Sequence, residues 1–388
     1  MKTDKDYITF IIYGMVKADE FIYFYNYVFG CLVKVNATTG DSQILWLDQS
    51  RNFLFSDMYG GIRLDADQVI IAPRCADDIL IYDMNECTMK FFSYNATPLW
   101  SEHKANQFVS VQIYKDYYYF FPGRNDEIIK MNKYTHEFIY IRGWANEVGK
   151  MPNPGSVKFN NAIRVRDNIC LLPCFQKGLV MEFDMETDSW KIHMIYDDAL
   201  ADIAFDGESC WVAVKNMKNI LKWEWSPDDS GDIEVYSCPQ DNDNQEMGFV
   251  HIVAGNNDVF AIPFYGNQIY RLNKKSLEID RIKYRSETKC LEDLRDFNPS
   301  GVNTFCCLQQ SIQEAYIYDA LSGDILRLDT DSGDISRIKI SLSQGDQDMI
   351  RNTMVRMKFD SINYESEDRT ISDFIEYVMI QDEGQGYA

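Results

Sequence analysis

Val180-Met-Glu-Phe-Asp-Met-Glu-Thr-Asp-Ser-Trp190 reads as an alternating strand that closes on an acid, a tight polar turn, and a second strand opening on tryptophan. Its first five residues form a word that returns six more times: Leu32–Asn36, Ile79–Asp83, Ile128–Asn132, Ile220–Glu224, Ile269–Asn273 and Ile325–Asp329. Positions two and four are always apolar, and position five is Asp, Asn or Glu. Period-two alternation of this kind marks a half-buried β-strand. The closing Asp or Asn is suited to accept backbone N–H groups in the turn that follows.

Working outward, each word is followed by a short strand and preceded by a more apolar one, such as Gln68–Ala72, Tyr117–Phe121 or Cys210–Val214. A further strand lies upstream, expected at Ile8–Tyr13 in the first unit and at Ala201–Phe205 and Val250–Ala254 in the fifth and sixth. Seven units of four strands, repeating roughly every 40–56 residues, have the period of propeller blades. The expectation is an all-β chain: a seven-bladed β-propeller over residues 5–342 and a tail over 343–388.

Phe183-Asp-Met-Glu-Thr-Asp-Ser-Trp190 resembles the kelch word, in which an aspartate ends one strand and a tryptophan starts the outer one. The likeness implies a kelch-like propeller. The Gly-Gly doublet of that pattern is missing, and in its place four units carry Pro73, Pro122, Pro173 and Pro263. Proline there stops a strand by removing a ladder donor.

In the tail, Ile371, Phe374, Ile375, Val378 and Met379 fall at i, i+3, i+4, i+7 and i+8, so an amphipathic helix is expected at about 370–382, behind a capping pair of Thr370 and Asp373. It would dock on its own propeller or in a partner's groove. A second helix is expected at Thr288–Phe297.

Sixty acidic against 38 basic side chains give a formal net charge of −22, which disfavours nucleic acid and anionic membrane as partners. No export signal is read at the N-terminus. Cysteines such as Cys31, Cys170 and Cys210 fall inside apolar strands and read as reduced and buried, so a cytoplasmic protein is expected.

Candidate ligand-contacting residues lie on the long, dissimilar loops that lead into each unit and on the turns after the second strands: Arg51, Arg74, Trp100, His103, Lys104, Arg124, Trp144, Glu246 and Tyr265. Aromatic rings interleaved with cations and amides suit a protein segment or a glycan. The first reading is therefore a non-catalytic binding scaffold. The alternative is a lyase or hydrolase of carbohydrates or small molecules, with His103 and His251 at the channel mouth. No metal set and no cofactor fingerprint is read. Asp329-Thr-Asp-Ser-Gly-Asp334 imitates the start of a calcium loop but lacks its later glutamate, and is expected to be a turn.

Overall fold

In a computed structural model, the structure describes residues 12–26, 30–47, 59–74, 76–94, 107–149, 158–226, 231–239, 248–264, 268–284, 305–319, 322–350 and 352. Seven antiparallel sheets are formed by consecutive strands, and the repeated word is the third strand of each. The innermost strands of successive blades pack together, and that of blade 7 returns to that of blade 1, which closes the ring. The protein is a seven-bladed β-propeller of four-stranded blades.

Each sheet is covered on both sides by a neighbour, so the apolar side chains gather in seven separate clusters, one per blade boundary. That is why the second strands, such as Cys210–Val214 and Asp258–Pro263, are buried along their whole length. The fourth strands lie outermost and alternate, as in Thr88–Ser93.

The word's closing residue behaves as its chemistry dictates. Asn36 Oδ1 accepts the N–H groups of Thr38 and Thr39, both at 2.9 Å. Asp83, Asn132, Asn273 and Asp329 each accept the corresponding pair, and Asp184 accepts Glu186 N–H at 2.8 Å. The segment Asp329–Asp334 is thus one more such turn. Four residues after the acid or amide the backbone enters the left-handed region in all six cases: Gly40, Cys87, His136, Asp188, Leu277 and Gly333. Cations at word position three lie against blade surfaces. Lys34 Nζ stands 3.6 Å from the Phe21 ring centroid, and Lys130 bonds Asp188 at 2.9 Å.

The innermost strand of blade 1 is Ile12–Ala18, displaced from the expected Ile8–Tyr13, because the turn to the second strand falls at Asp19-Glu20, where Asp19 takes φ 50°. Ring closure also uses a segment beyond blade 7. Ser341–Leu342 adds a parallel fifth strand to the outer edge of blade 1, and Ser341 N–H donates to Gly40 O at 2.9 Å. A short helix at 344–350 follows, capped by Ser343, whose Oγ accepts Asp346 N–H at 3.1 Å. Ile350 at its end is fully buried between blades 7 and 1. This helix was unanticipated, and the expected helices at 370–382 and Thr288–Phe297 lie outside the described residues.

Candidate functional site

The central channel holds a cavity of ≈ 400 Å³ lined by the innermost strands. Five of the seven are irregular in one shared way. Against the second strand, one extra residue is inserted between Ile12 and Met15, Tyr59 and Ile62, Phe108 and Ser110, Leu200 and Asp202, and Phe249 and His251. A bulge re-aims the side chains beside it. Here it brings Gly14, Gly61, Ser110, Asp202 and His251 to equivalent positions on their blades. At Gly61 the approach is so close that an added Cβ would stand 2.6 Å from Val109 O.

On the wall formed by blades 5 and 6, His251 Nδ1 and Asp202 Oδ2 are 3.0 Å apart. The same carboxylate accepts Asn161 Nδ2–H at 3.2 Å and Ile252 N–H at 3.3 Å, and is 4% exposed. Burial of a carboxylate requires such donors.

Two positions further along, three blades present polar side chains at one level: Arg63, Gln112 and Arg164 pair with Ile70, Tyr119 and Cys170, which are themselves equivalent. Burial, and after it the charge of Arg164, hold the Arg63 guanidinium below its ordinary value.

A second feature is the face carrying the turns after the second strands. A belt of backbone hydrogen bonds alternates between these turns and the segments leading into the next blades. Gln107 N–H donates to Arg74 O at 2.6 Å while Gln107 O accepts Gly123 N–H at 2.7 Å. Lys158 repeats the arrangement with Gly123 and Phe175, both at 2.6 Å, and Gly248 with Lys215 and Phe264, at 2.8 and 3.3 Å. On this face Phe175 of blade 4 reaches Phe264 of blade 6, centroids 6.3 Å apart, with Lys215 Nζ 3.9 Å from the Phe175 ring.

The residues anticipated from sequence are dispersed over these features. Arg51, Trp100, His103, Lys104, Glu246 and Tyr265 lie outside the described residues. Arg74 sits on the belt, its guanidinium 3.4 Å from the Tyr13 centroid, and Arg124 follows Gly123 in the same belt. Trp144 is corrected: it is 0% exposed, tilted against Phe159 with ring centroids 5.5 Å apart in the core between blades 3 and 4, and is not a surface ring. Its burial follows from the short helix Trp144–Val148, which folds the loop inward. Trp190 of the opening stretch holds that helix in place, donating from Nε1 to Glu147 at 2.9 Å.

His251 lies in the channel beside the Asp202 carboxylate. Arg63, Gln112, Arg164, Asp202, Phe175 and Phe264 were missed. Phe175 and Phe264 could have been found as aromatics immediately after the strand-stopping proline segments.

Among the described residues no group of three or more His, Cys, Asp and Glu could hold a metal ion, and no helix is long and apolar enough to cross a membrane. Cys31, Cys170 and Cys210 are free and buried.

These features define a seven-bladed propeller with a polar channel and a hydrogen-bonded loop face. No protein-family model and no curated protein matches the sequence. Solved structures that it resembles include a streptogramin B lyase (12% identity, 81% of this chain and 92% of that one, TM-score 0.59). Saccharomyces cerevisiae Sqt1 shares 6% identity over 85% of this chain and 86% of its own, TM-score 0.58. The β-propeller domain of Myceliophteria thermophila Cps50 (Swd1) shares 9% over 84% and 98%, TM-score 0.52. At such identities the likeness is one of fold.

Proposed function

We propose that this propeller is a non-catalytic binding scaffold that recognises a protein or a glycan through its loop face. The observation that carries the reading is the backbone belt. It fixes the turns after the second strands to Gln107, Lys158 and Gly248, the residues that lead into the next blades, and so builds a continuous hydrogen-bonded rim. Rigid presentation lowers the ordering cost of binding. Arg74, Arg124 and the trio Phe175, Lys215 and Phe264 supply cationic and aromatic contacts on that rim. The kelch likeness of blade 4, and a cytoplasmic setting inferred from buried free thiols, belong to the same proposal.

The test is a glycan array together with cross-linked capture of protein partners, run on the wild type and on an Arg74→Glu, Arg124→Glu variant. A ligand that binds the wild type and is weakened about tenfold or more by the charge reversals supports the reading. No ligand, or one indifferent to both reversals, sinks it.

A second reading, a lyase or hydrolase working in the channel, is favoured by one observation: His251 lies 3.0 Å from the buried Asp202 in a cavity of ≈ 400 Å³. A carboxylate that orients an imidazole is the arrangement of a general base. Turnover of a chromogenic glycoside or ester panel, lost in His251→Gln, would establish it. Absence of turnover across the panel counts for the scaffold.

A further inference from the structure

We propose that the central channel is a binding site for a small organic anion, a carboxylate or phosphate monoester, held between Arg63 and Arg164 with Gln112 beside them. This site is separate from the loop face and stands independently of the function proposed above.

Three observations converge. First, Arg63 and Arg164 both line the cavity, and among the described residues neither guanidinium has a hydrogen-bond or ion-pair partner. Arg63 is half-buried, where a guanidinium is ordinarily paired, and Arg164 is exposed toward the same channel. Two that face one space without a counter-ion, in a chain with 22 more acidic than basic side chains, mark a place where a negative ligand is wanted.

Second, the acid in the same cavity does not serve as that counter-ion. Asp202 is engaged by His251, Asn161 and Ile252 N–H.

Third, Gln112 is 3% exposed, donates from Nε2 to Ala162 O at 2.7 Å, and leaves Oε1 without a partner. The channel shows what a satisfied glutamine looks like: Gln309 spans to blade 6, donating to Ala254 O at 2.8 Å and accepting Ala254 N–H at 3.1 Å. Gln112 has only half of that arrangement, so its free oxygen awaits a donor.

The register explains why the three act together. Arg63, Gln112 and Arg164 occupy one level on blades 2, 3 and 4, so their side chains form a single arc of the wall. Two guanidiniums offer parallel N–H forks to planar or tetrahedral oxyanions. The cavity volume fits a ligand of small-metabolite size. The mutual repulsion of the two arginines, already felt at Arg63, is relieved when the anion arrives.

The experiment is isothermal titration of the full-length protein with inorganic phosphate, glycolate and glycerol 3-phosphate, at ionic strength held constant with chloride. The expected result is saturable binding of at least one probe at one site per chain. Glycolate alone would identify the carboxylate source, and the phosphates alone the phosphate source. Arg164→Gln and Arg63→Met should each weaken binding about tenfold or more, the loss expected for one charge-assisted hydrogen bond. Lys90→Gln on the outermost strand of blade 2 should leave it unchanged. Arg164 is exposed to the cavity, so its variant is expected to fold and decides the matter if Arg63→Met does not. No saturable binding of any probe overturns the proposal. So does a loss smaller than tenfold in Arg164→Gln, or an equal loss in Lys90→Gln.

Discussion

Asp202 and His251 join blade 5 to blade 6 through a 3.0 Å contact inside the channel. Removing the acid leaves the Ile252 N–H and the Asn161 amide without their acceptor in a place water reaches poorly. Asp202→Ala is therefore expected to cost about 2–3 kcal/mol in urea unfolding, the penalty of an orphaned buried donor added to a lost bond. His251→Gln keeps a donor toward Asp202 and is expected to cost about 1 kcal/mol or less. Equal losses in the two variants would show that the imidazole, not the carboxylate, organises the boundary.

Leu277 is expected to be a site of stored strain. It takes φ 60° at the turn position where the first and last blades use Gly40 and Gly333, and its side chain is 50% exposed. The left-handed conformation costs an ordinary residue about 1 kcal/mol, and no packing offsets it here. Leu277→Gly should raise stability by about 0.5–1 kcal/mol, read as a higher melting temperature. His136 takes φ 59° at the same turn position but stacks on Phe92 with centroids 4.3 Å apart. His136→Gly should gain less, or lose.

The contrast between these residues shows what the sequence disclosed. The word and its turn were legible because alternation and an Asx turn are local, and each repeats independently of where the blades end up. The channel was not legible. Arg63, Gln112 and Arg164 become equivalent only through their pairing with Ile70, Tyr119 and Cys170, and that register is not visible in a sequence read one unit at a time. Asp202 and His251 stand just after bulges on different blades, and a bulge leaves no mark in the sequence. Trp144 misled because an aromatic on a loop looks available until the loop folds inward. The helix at 344–350 was readable in Ser343 and Asp346, yet its apolar content is too slight to draw attention beside the stronger pattern at 370–382.

Acid should destabilise the fold through a few buried carboxylates. Burial opposes ionisation of Asp206, but hydrogen bonds from Lys274, Ser209 N–H and Trp211 Nε1 outweigh it and hold the carboxyl below its ordinary range. Burial likewise opposes ionisation of Glu182, and bonds from His193 and Trp225 overcome it. A folded value below the unfolded one gives stability that is present above the unfolded pKa and lost as pH falls through the folded pKa. Stability should thus decline below about pH 4. Asp206→Asn is expected to cost about 1–2 kcal/mol at pH 7 and to lose less than the wild type between pH 4 and 2.5. A parallel decline of the two proteins in chemical denaturation would assign the acid limb to other groups.

The segment beyond blade 7 is expected to act as a single clasp on blade 1. Gly40 has φ 79°, and an added Cβ would stand 2.0 Å from Lys339 O, so Gly40→Val both strains the turn and pushes the Ser341–Leu342 strand off the edge. Ile350→Ala opens a hole in a fully buried site and should cost about 2–4 kcal/mol. Ser343→Ala removes the cap and should cost about 1 kcal/mol. If strand, cap and buried isoleucine hold together as one unit, Gly40→Val already frees the helix, and Ile350→Ala then has little left to remove. The double variant should accordingly lose at least 1 kcal/mol less than the sum of the single losses, well outside the additivity of distant sites. Additive losses in guanidinium unfolding would mean that the helix stays docked without the strand, and that the ring closes by blade packing alone.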